Sequence, residues 1–334
     1  MRGQQISGIL NMDKPAGMTS HDVVDRVRQM AGQRRVGHAG TLDPLATGVL
    51  VVCLGQATRV AEFLMDSDKV YRAEIRLGVS TDTHDAEGEV TAIAEVNVGE
   101  EEVRRALASF VGSIQQVPPM YSALKREGTP LHRLARQGIT VEREARSVEI
   151  HNIELLDWAP PVLTIRVACS PGTYIRALAR DLGQKLGCGA HLQSLTRLAS
   201  GHFTLENAVS LDELAEAFAQ GNWQELIHPL DEALLDFEPV VIDAETEQRI
   251  RHGQQVQAPP LAPPKRGGIE GGVCRAYSQT GELIGILRYD AQTGLWQPKK
   301  VFNHKAQSSK FKAQRASDGR RSLTEPVLSN ANHH

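Results

Sequence analysis

Aromatic residues make up only 4% of this 334-residue chain, so its core is expected to be aliphatic. Its four cysteines, Cys53, Cys169, Cys188 and Cys274, are widely spaced and form no CxxC pair. That spacing argues against a zinc site and against a disulfide framework, and it suits a reducing compartment. No apolar run approaches the roughly 20 residues needed to cross a bilayer. The opening residues, Met-Arg-Gly-Gln-Gln-Ile, lack the apolar core of a secretory signal. A cytoplasmic protein is expected. Several catalytic signatures are missing as well: there is no HExxH, no GxSxG and no GxGxxG. Gly32-Gln-Arg-Arg-Val-Gly37 has P-loop glycine spacing, but His38-Ala39 stands where Lys-Ser/Thr is required. Nucleotide hydrolysis at that loop is therefore excluded.

What is present is ordinary in bulk, with 41% apolar and 23% charged residues and room for about two domains. The formal net charge of −3 hides an asymmetry. Between Glu206 and Glu247 the chain carries twelve carboxylates and no Lys or Arg. From Lys299 to Arg321 eight basic residues face Asp318 alone. A basic terminus of this kind marks either a polyanion contact or a solvated tail.

Local patterns divide the chain. Gly8 to Met12 reads as a strand, followed by a turn at Asp13–Met18. Thr19-Ser-His-Asp22 reads as a capping box that opens a helix, with Val23, Val24, Val27 and Met30 at helical spacing. Gly37 to Gly55, "GHAGTLDPLATGVLVVCLG", begins as a glycine-rich loop and ends as a buried strand. Val70 to Leu77 alternates, with Tyr71, Ala73, Ile75 and Leu77 on the inner face. Glu100 to Phe110 is an amphipathic helix. Residues 118–148 are polar and basic, a mobile binding insertion with a short helix opened by Thr129-Pro130 and closed by Gly138. Val162 to Cys169 is a strand that turns through Ser170–Thr173 into a helix, Tyr174 to Leu186. Ser210 caps a further helix. Beyond Phe237, three short strands follow a Pro/Gly-rich loop at Ala258–Gly272.

One carboxylate stands out. Asp43 sits before Pro44 in the glycine-rich loop, directly ahead of the buried strand. Alone, such an aspartate forms a turn. A rigid scaffold behind it would equally present it as a reagent.

Five blocks bear on that choice: "GILNMDKPAGMTSHDVV", "GHAGTLDPLATGVLVVCLGQATR", "KVYRAEIRLGVSTDTHDAEGEV", "VPPMYSALKREG" and "CSPGTYIRALARDLG". In this order and spacing they resemble the bacterial tRNA pseudouridine synthase B (TruB) family, from about Gly8 to Leu198 and more weakly beyond.

The resemblance implies an α+β fold, with a mixed, mainly antiparallel sheet flanked by helices in residues 1–237. The insertion at about 118–148 would be a thumb-like RNA-binding element. Residues 238–302 would form a small β-rich PUA-like domain, and 303–334 a disordered basic tail. It implies an isomerase that converts the T-loop uridine of tRNA, the Ψ of TΨC, to pseudouridine. Asp43 would be the catalytic carboxylate, acting as a nucleophile at C1′ or the uracil ring, or as a base at C2′. Arg176 would pair with Asp43, lower its pKa and keep it charged. Tyr71 would stack on the target base, Tyr174 and Leu195 would line its pocket, and His38 would help displace flipped bases. Lys125, Arg126, Arg133 and Arg136 would contact phosphates. The partner implied is tRNA, through its T-arm and acceptor stem, with a monomeric enzyme needing no membrane, protein partner, metal or cofactor. Competing readings are a tRNA-binding or folding factor without relevant turnover, and a guide-RNA-dependent rRNA pseudouridine synthase.

Overall fold

The computed structural model of the chain describes residues 5–122, 124–126, 128–139, 141–257 and 272–302. The basic tail and most of the Pro/Gly-rich loop lie outside the described residues. The chain divides into two compact units between Leu234 and Leu235.

The first unit is built on one large sheet. Strand β1 (Gly8–Lys14) leads into helix α1 (Ser20–Ala31). The Thr19 hydroxyl accepts from the Asp22 amide, and the Asp22 carboxylate accepts from the Thr19 amide, so the expected capping box forms. Gly32 ends the helix with φ 59°. Strands β2 (Val36–Ala39) and β3 (Thr47–Leu54) follow, then helix α2 (Ala61–Met65) and strand β4 (Lys69–Leu77). Along β4 the inner residues Tyr71, Ala73, Ile75 and Leu77 are buried while Arg72 and Arg76 are exposed, as the alternation predicts. A short pair, β5 (Val79–Thr81) and β6 (Val90–Ile93), precedes helix α3 (Glu100–Ala108) and strand β7 (Gly112–Gln116).

The basic insertion holds a two-residue pair, β8 (Lys125–Arg126) and β9 (Thr129–Pro130), and helix α4 (Leu131–Arg136). Strands β10 (Arg146–Ala159) and β11 (Val162–Cys169), helix α5 (Ile175–Lys185), strands β12 (Ala190–Ser200) and β13 (Phe203–Thr204), and helix α6 (Leu211–Gln220) complete the regular elements. The sheet order is β1-β3-β12-β4-β11-β10-β7, with β2 added to β3 and β13 to β12. Every pairing is antiparallel except β3 with β12.

Two aliphatic cores flank this sheet. Residues Ile175, Leu178 and Leu182 of α5 and Val103 and Leu107 of α3 pack with Ile75, Leu163 and Ile165. Residues Val23, Val24 and Val27 of α1 and Leu214 of α6 pack with Leu10, Met12, Leu50 and Val52. Full burial of one such aliphatic side chain contributes about 1.5–3 kcal/mol, so the sheet is rigid where it meets α5.

Some local expectations are corrected. The Gly37 end of the supposed loop is strand β2, because its backbone groups pair with the apolar strand β3 from Val36↔Leu54 to Ala39↔Val51. Strand β1 runs through Lys14, two residues into the expected turn. Thr129 and Pro130 belong to β9, and the short helix begins only at Leu131. Strands β10 and β12 carry no clear alternation in sequence. Irregularities between Ile150 and Asn152 in β10 and between Leu192 and Ser194 in β12 interrupt the two-residue period.

The second unit is a four-stranded sheet, β14 (Glu238–Val241), β15 (Val273–Tyr277), β16 (Leu283–Asp290) and β17 (Leu295–Val301), in that order. Helix α7 (Ala244–Arg251), N-capped by Asp243, packs Ile250 into its core with Ile284 and Trp296. Strand β14 and helix α7 were not expected from sequence. Among the described residues no helix is long and apolar enough to cross a membrane.

Candidate active site

Asp43 occupies the first position of a turn in which its carbonyl accepts from the Ala46 amide (3.1 Å). Pro44 takes the second position, where its fixed φ suits the turn. The loop is then tied down from three directions. Ser20 Oγ accepts from the Leu42 amide (2.8 Å) and donates to the Leu42 carbonyl (3.1 Å). Lys14, fully buried, donates from Nζ to the carbonyls of Pro15 (2.9 Å), Met18 (2.6 Å) and Pro44 (3.2 Å). Arg197, also buried, donates to the carbonyls of Gly40 (3.0 Å) and Val49 (2.6 Å). Burial pushes the Lys14 ammonium down to about 8.

Gly48 lies where β3 runs parallel to β12. Its φ is 93°, and a Cβ there would collide with the Arg197 backbone. The loop carrying Asp43 is therefore positioned by backbone contacts that only glycine permits.

Arg176, in the first turn of α5, donates four hydrogen bonds from its two terminal nitrogens and makes a further ionic contact through Nε. Nε lies 2.9 Å from Asp43 Oδ2, and Nη2 donates to Asp43 Oδ1 (3.2 Å), a bidentate pair. Nη2 also donates to the Tyr121 carbonyl (2.7 Å). Nη1 donates to Asp85 Oδ2 and the Thr83 carbonyl, both at 3.3 Å. Asp85 is held in turn by the Thr83 hydroxyl (2.6 Å) and the Glu87 amide (3.1 Å). The Arg176 and Asp85 side chains are 5% and 4% exposed, whereas Asp43 keeps 35% of its side-chain surface. The guanidinium is fixed at the back, and the Asp43 carboxylate faces open space.

That space is a cavity of about 290 Å³ whose walls include Asp43, Tyr71, Tyr174, Arg176 and Leu195. Tyr71 reaches it from β4 beside the Arg197 guanidinium, and burial raises its phenol pKa. Tyr174 is the N-cap residue of α5. The Gln116 side-chain amide accepts from the Tyr174 N–H (2.9 Å) and donates to its carbonyl (3.1 Å). Burial raises the Tyr174 phenol pKa as well. Both phenols stay protonated near neutrality.

The expected depression of the Asp43 pKa is not the net outcome. Burial pushes the carboxyl above its ordinary value; Arg176 pulls it down, and Asp85 pushes it up again. Desolvation prevails because one guanidinium is shared between two carboxylates.

The structure thus brings Asp43, Tyr71, Tyr174, Arg176 and Leu195 to one cavity. His38 is not among its walls: it lies on β2, partly buried, with its pKa lowered by burial. Lys125 and Arg126 lie on β8, and Arg133 and Arg136 on α4; Arg133 is exposed. Sequence reasoning missed Asp85, Lys14, Arg197 and Gln116. Asp85 and Lys14 lay inside the matching blocks, but nothing local marked them as ligands of the site.

Comparison with known proteins gives the chain its family. Residues 28–175 match the N-terminal domain of TruB family pseudouridylate synthases. Residues 176–239 match the C-terminal domain of tRNA pseudouridylate synthase B. The class is that of the pseudouridylate synthases. The chain is 48% identical over 299 residues to the tRNA pseudouridine synthase B of Dechloromonas aromatica, covering 89% of this chain and 96% of that protein. The Pseudomonas aeruginosa protein of the same name is 46% identical over 286 residues, covering 85% and 92%. The chain belongs to the TruB family. Among solved structures, a chain of a Cbf5-Nop10-Gar1 complex superposes with a TM-score of 0.68 at 29% identity, covering 89% of this chain and 85% of that one. A chain of an H/ACA RNP bound to a substrate RNA containing 2′-deoxyuridine gives 0.67 at 26% identity, with the same coverage.

Proposed function

We propose that this chain is a tRNA pseudouridine synthase acting in the cytoplasm on the T-loop uridine, the Ψ of TΨC, with Asp43 as its catalytic carboxylate. The observation that carries the reading is the Asp43 carboxylate, held bidentately by Arg176 and open to a cavity between two protonated tyrosines. The cavity suits one extruded nucleoside, and extrusion of a stacked base costs a few kcal/mol. Inside it, the N1–C1′ bond breaks, uracil turns, and C5 bonds to C1′. The C5 proton is lost to water and N1 gains one. Among the described residues Asp43 is the one carboxylate of the cavity walls, available as a nucleophile or as a base. Tyr71 supplies a flat face for the base, while Leu195 and Tyr174 limit its rotation.

RNA outside the cavity is held by Lys125, Arg126, Arg133 and Arg136 at phosphates and by His38 stacking on displaced bases. The four-stranded unit serves as a PUA-like RNA-binding domain on the tRNA body. The names and identities of the sequence relatives favour tRNA over a guided rRNA substrate.

The test is tritium release from a tRNA transcript carrying 5-tritiated uridine, in EDTA, without guide RNA or added protein. Wild type should release one equivalent per tRNA and Asp43→Asn none, with tRNA affinity retained. Normal turnover by Asp43→Asn would remove Asp43 from the chemistry. Tight tRNA binding without release by wild type would make the chain a binding factor or a guide-dependent enzyme.

A further inference from the structure

A second cavity, of about 610 Å³, lies in the first unit and shares no wall residue with the first. Its walls include His84, Phe110, Arg143, Arg180 and Gln184. Three segments that build the back of the active site also build this space. Arg180 follows Arg176 by one turn of α5, about 6 Å along the axis. His84 stands between Thr83 and Asp85, both partners of Arg176. Gln115, also on the wall, precedes the Gln116 that clamps Tyr174.

The loop at His84 is fixed in a costly conformation. Among the described residues it is the one non-glycine with positive φ, at 64°. Its carbonyl accepts from the Leu192 amide (3.0 Å), and its Nδ1 lies 3.2 Å from the Thr81 carbonyl. The conformation turns Asp85 toward Arg176 and His84 toward the second cavity.

The charges in this cavity are not balanced. Arg180 is paired with Asp181 (2.8 Å) and also reaches the Val117 carbonyl (3.4 Å). Arg143 has no such carboxylate partner among the described residues. Its Nε is buried and lacks a hydrogen bond among the described residues. Burial and then the neighbouring Arg180 push its pKa down, with no carboxylate opposing them. Lys185 adds a further cation beside the wall, its Nζ 5.7 Å from the centre of the Phe110 ring. His84 is held neutral by burial and by Arg180, so it contributes no charge near neutrality. Two guanidiniums facing one open space with a single carboxylate leave a position for an anion. Guanidiniums match a phosphate better than a point cation does, because their forked donors meet two of its oxygens.

We propose that this second cavity is a phosphate subsite for the RNA strand, in which Arg143 and Arg180 together hold one phosphodiester. The assignment to RNA rests on the substrate proposed above. The subsite would couple grip to chemistry, since a phosphate on Arg180 braces the helix that presents Arg176.

The experiment measures binding of an unmodified tRNA transcript to the full chain from about 50 to 200 mM salt. Wild type, Arg143→Gln and Arg143→Lys are compared, with circular dichroism reporting folding. A lost phosphate contact should weaken binding about tenfold and make the log–log salt slope shallower by about 0.7–0.9. Arg143→Lys should recover most of the slope. A second arm measures thermal stabilisation by inorganic phosphate alone. Little stabilisation is expected, because a lone phosphate lacks the rest of the strand. An unchanged slope in folded Arg143→Gln overturns the proposal. Strong Arg143-dependent stabilisation by free phosphate, with tRNA binding unaffected, also overturns it in favour of a small-anion site. Wild type that fails to release tritium but shows the Arg143-dependent slope would defeat the proposed reaction and leave the subsite standing.

Discussion

Arg176 and Asp85 form a buried pair, Nη1 to Oδ2 at 3.3 Å, at the side of the guanidinium away from Asp43. The pair sets the direction in which the remaining Arg176 donors point. Asp43 therefore meets a guanidinium already oriented, which fixes the carboxylate without closing its open side.

Replacing Arg176 by lysine should lower kcat by about a hundredfold, the scale of a misplaced reacting group. A single ammonium cannot reproduce a planar fork that reaches two carboxylates and two carbonyls, and it would leave the Tyr121 and Thr83 carbonyls underused. Single-turnover tritium release at saturating tRNA measures this; wild-type rates would mean that Arg176 does not position Asp43.

The Asp43 carboxyl is raised by burial, and Asp85 adds to the rise. In the proposed reaction the active form is the carboxylate, so kcat/KM should climb with pH through an apparent pKa above the ordinary aspartate value of about 3.9. Asp85→Asn removes one negative neighbour and should move that acid limb to lower pH, while loosening Arg176 and reducing kcat by about tenfold or more. A pH–rate profile of both proteins decides it. An acid limb that stays in place would show that Asp43 does not sense Asp85.

Lys14→Met should destabilise the first unit. It removes a buried charge, but it leaves the Pro15 and Met18 carbonyls without this donor and the Pro44 carbonyl beside Asp43 with the Gly17 amide alone. A carbonyl left buried and unpaired costs about 1–3 kcal/mol; Pro15 is exposed and Pro44 keeps the Gly17 amide, so the loss should fall at the low end of that range. Urea unfolding should show a lower midpoint with an unchanged slope.

Gly48→Ala should also destabilise, by about 2 kcal/mol or more, from a left-handed backbone and a clash with the Arg197 backbone. Because the same junction seats the Asp43 loop, activity should fall further than the folded fraction does. Denaturation midpoints measured beside tritium release would separate the two effects.

Much of this molecule was legible locally. The capping boxes of α1 and α6 form as the Thr19–Asp22 and Ser210–Glu213 spacings predict. The alternation of β4 put Tyr71 inward, and strand β11 spans the expected Val162–Cys169. Such signals survive because the interactions behind them join residues within four positions of each other, or repeat with the period of one element. The resemblance in five blocks then placed Asp43, Tyr71, Tyr174, Arg176 and Leu195 in one site.

Only the tertiary structure decided what surrounds them. Asp85 lies 91 residues from Arg176, and Arg197 lies 148 from the Val49 carbonyl it holds. No spacing rule reaches across such separations, because sheet order determines which strands become neighbours. The sign of the Asp43 shift was decided there too. Sequence could pair one arginine with one aspartate, but desolvation depends on which walls gather around the carboxylate. Whether a carboxylate shares its guanidinium with another depends on where a distant loop comes to rest.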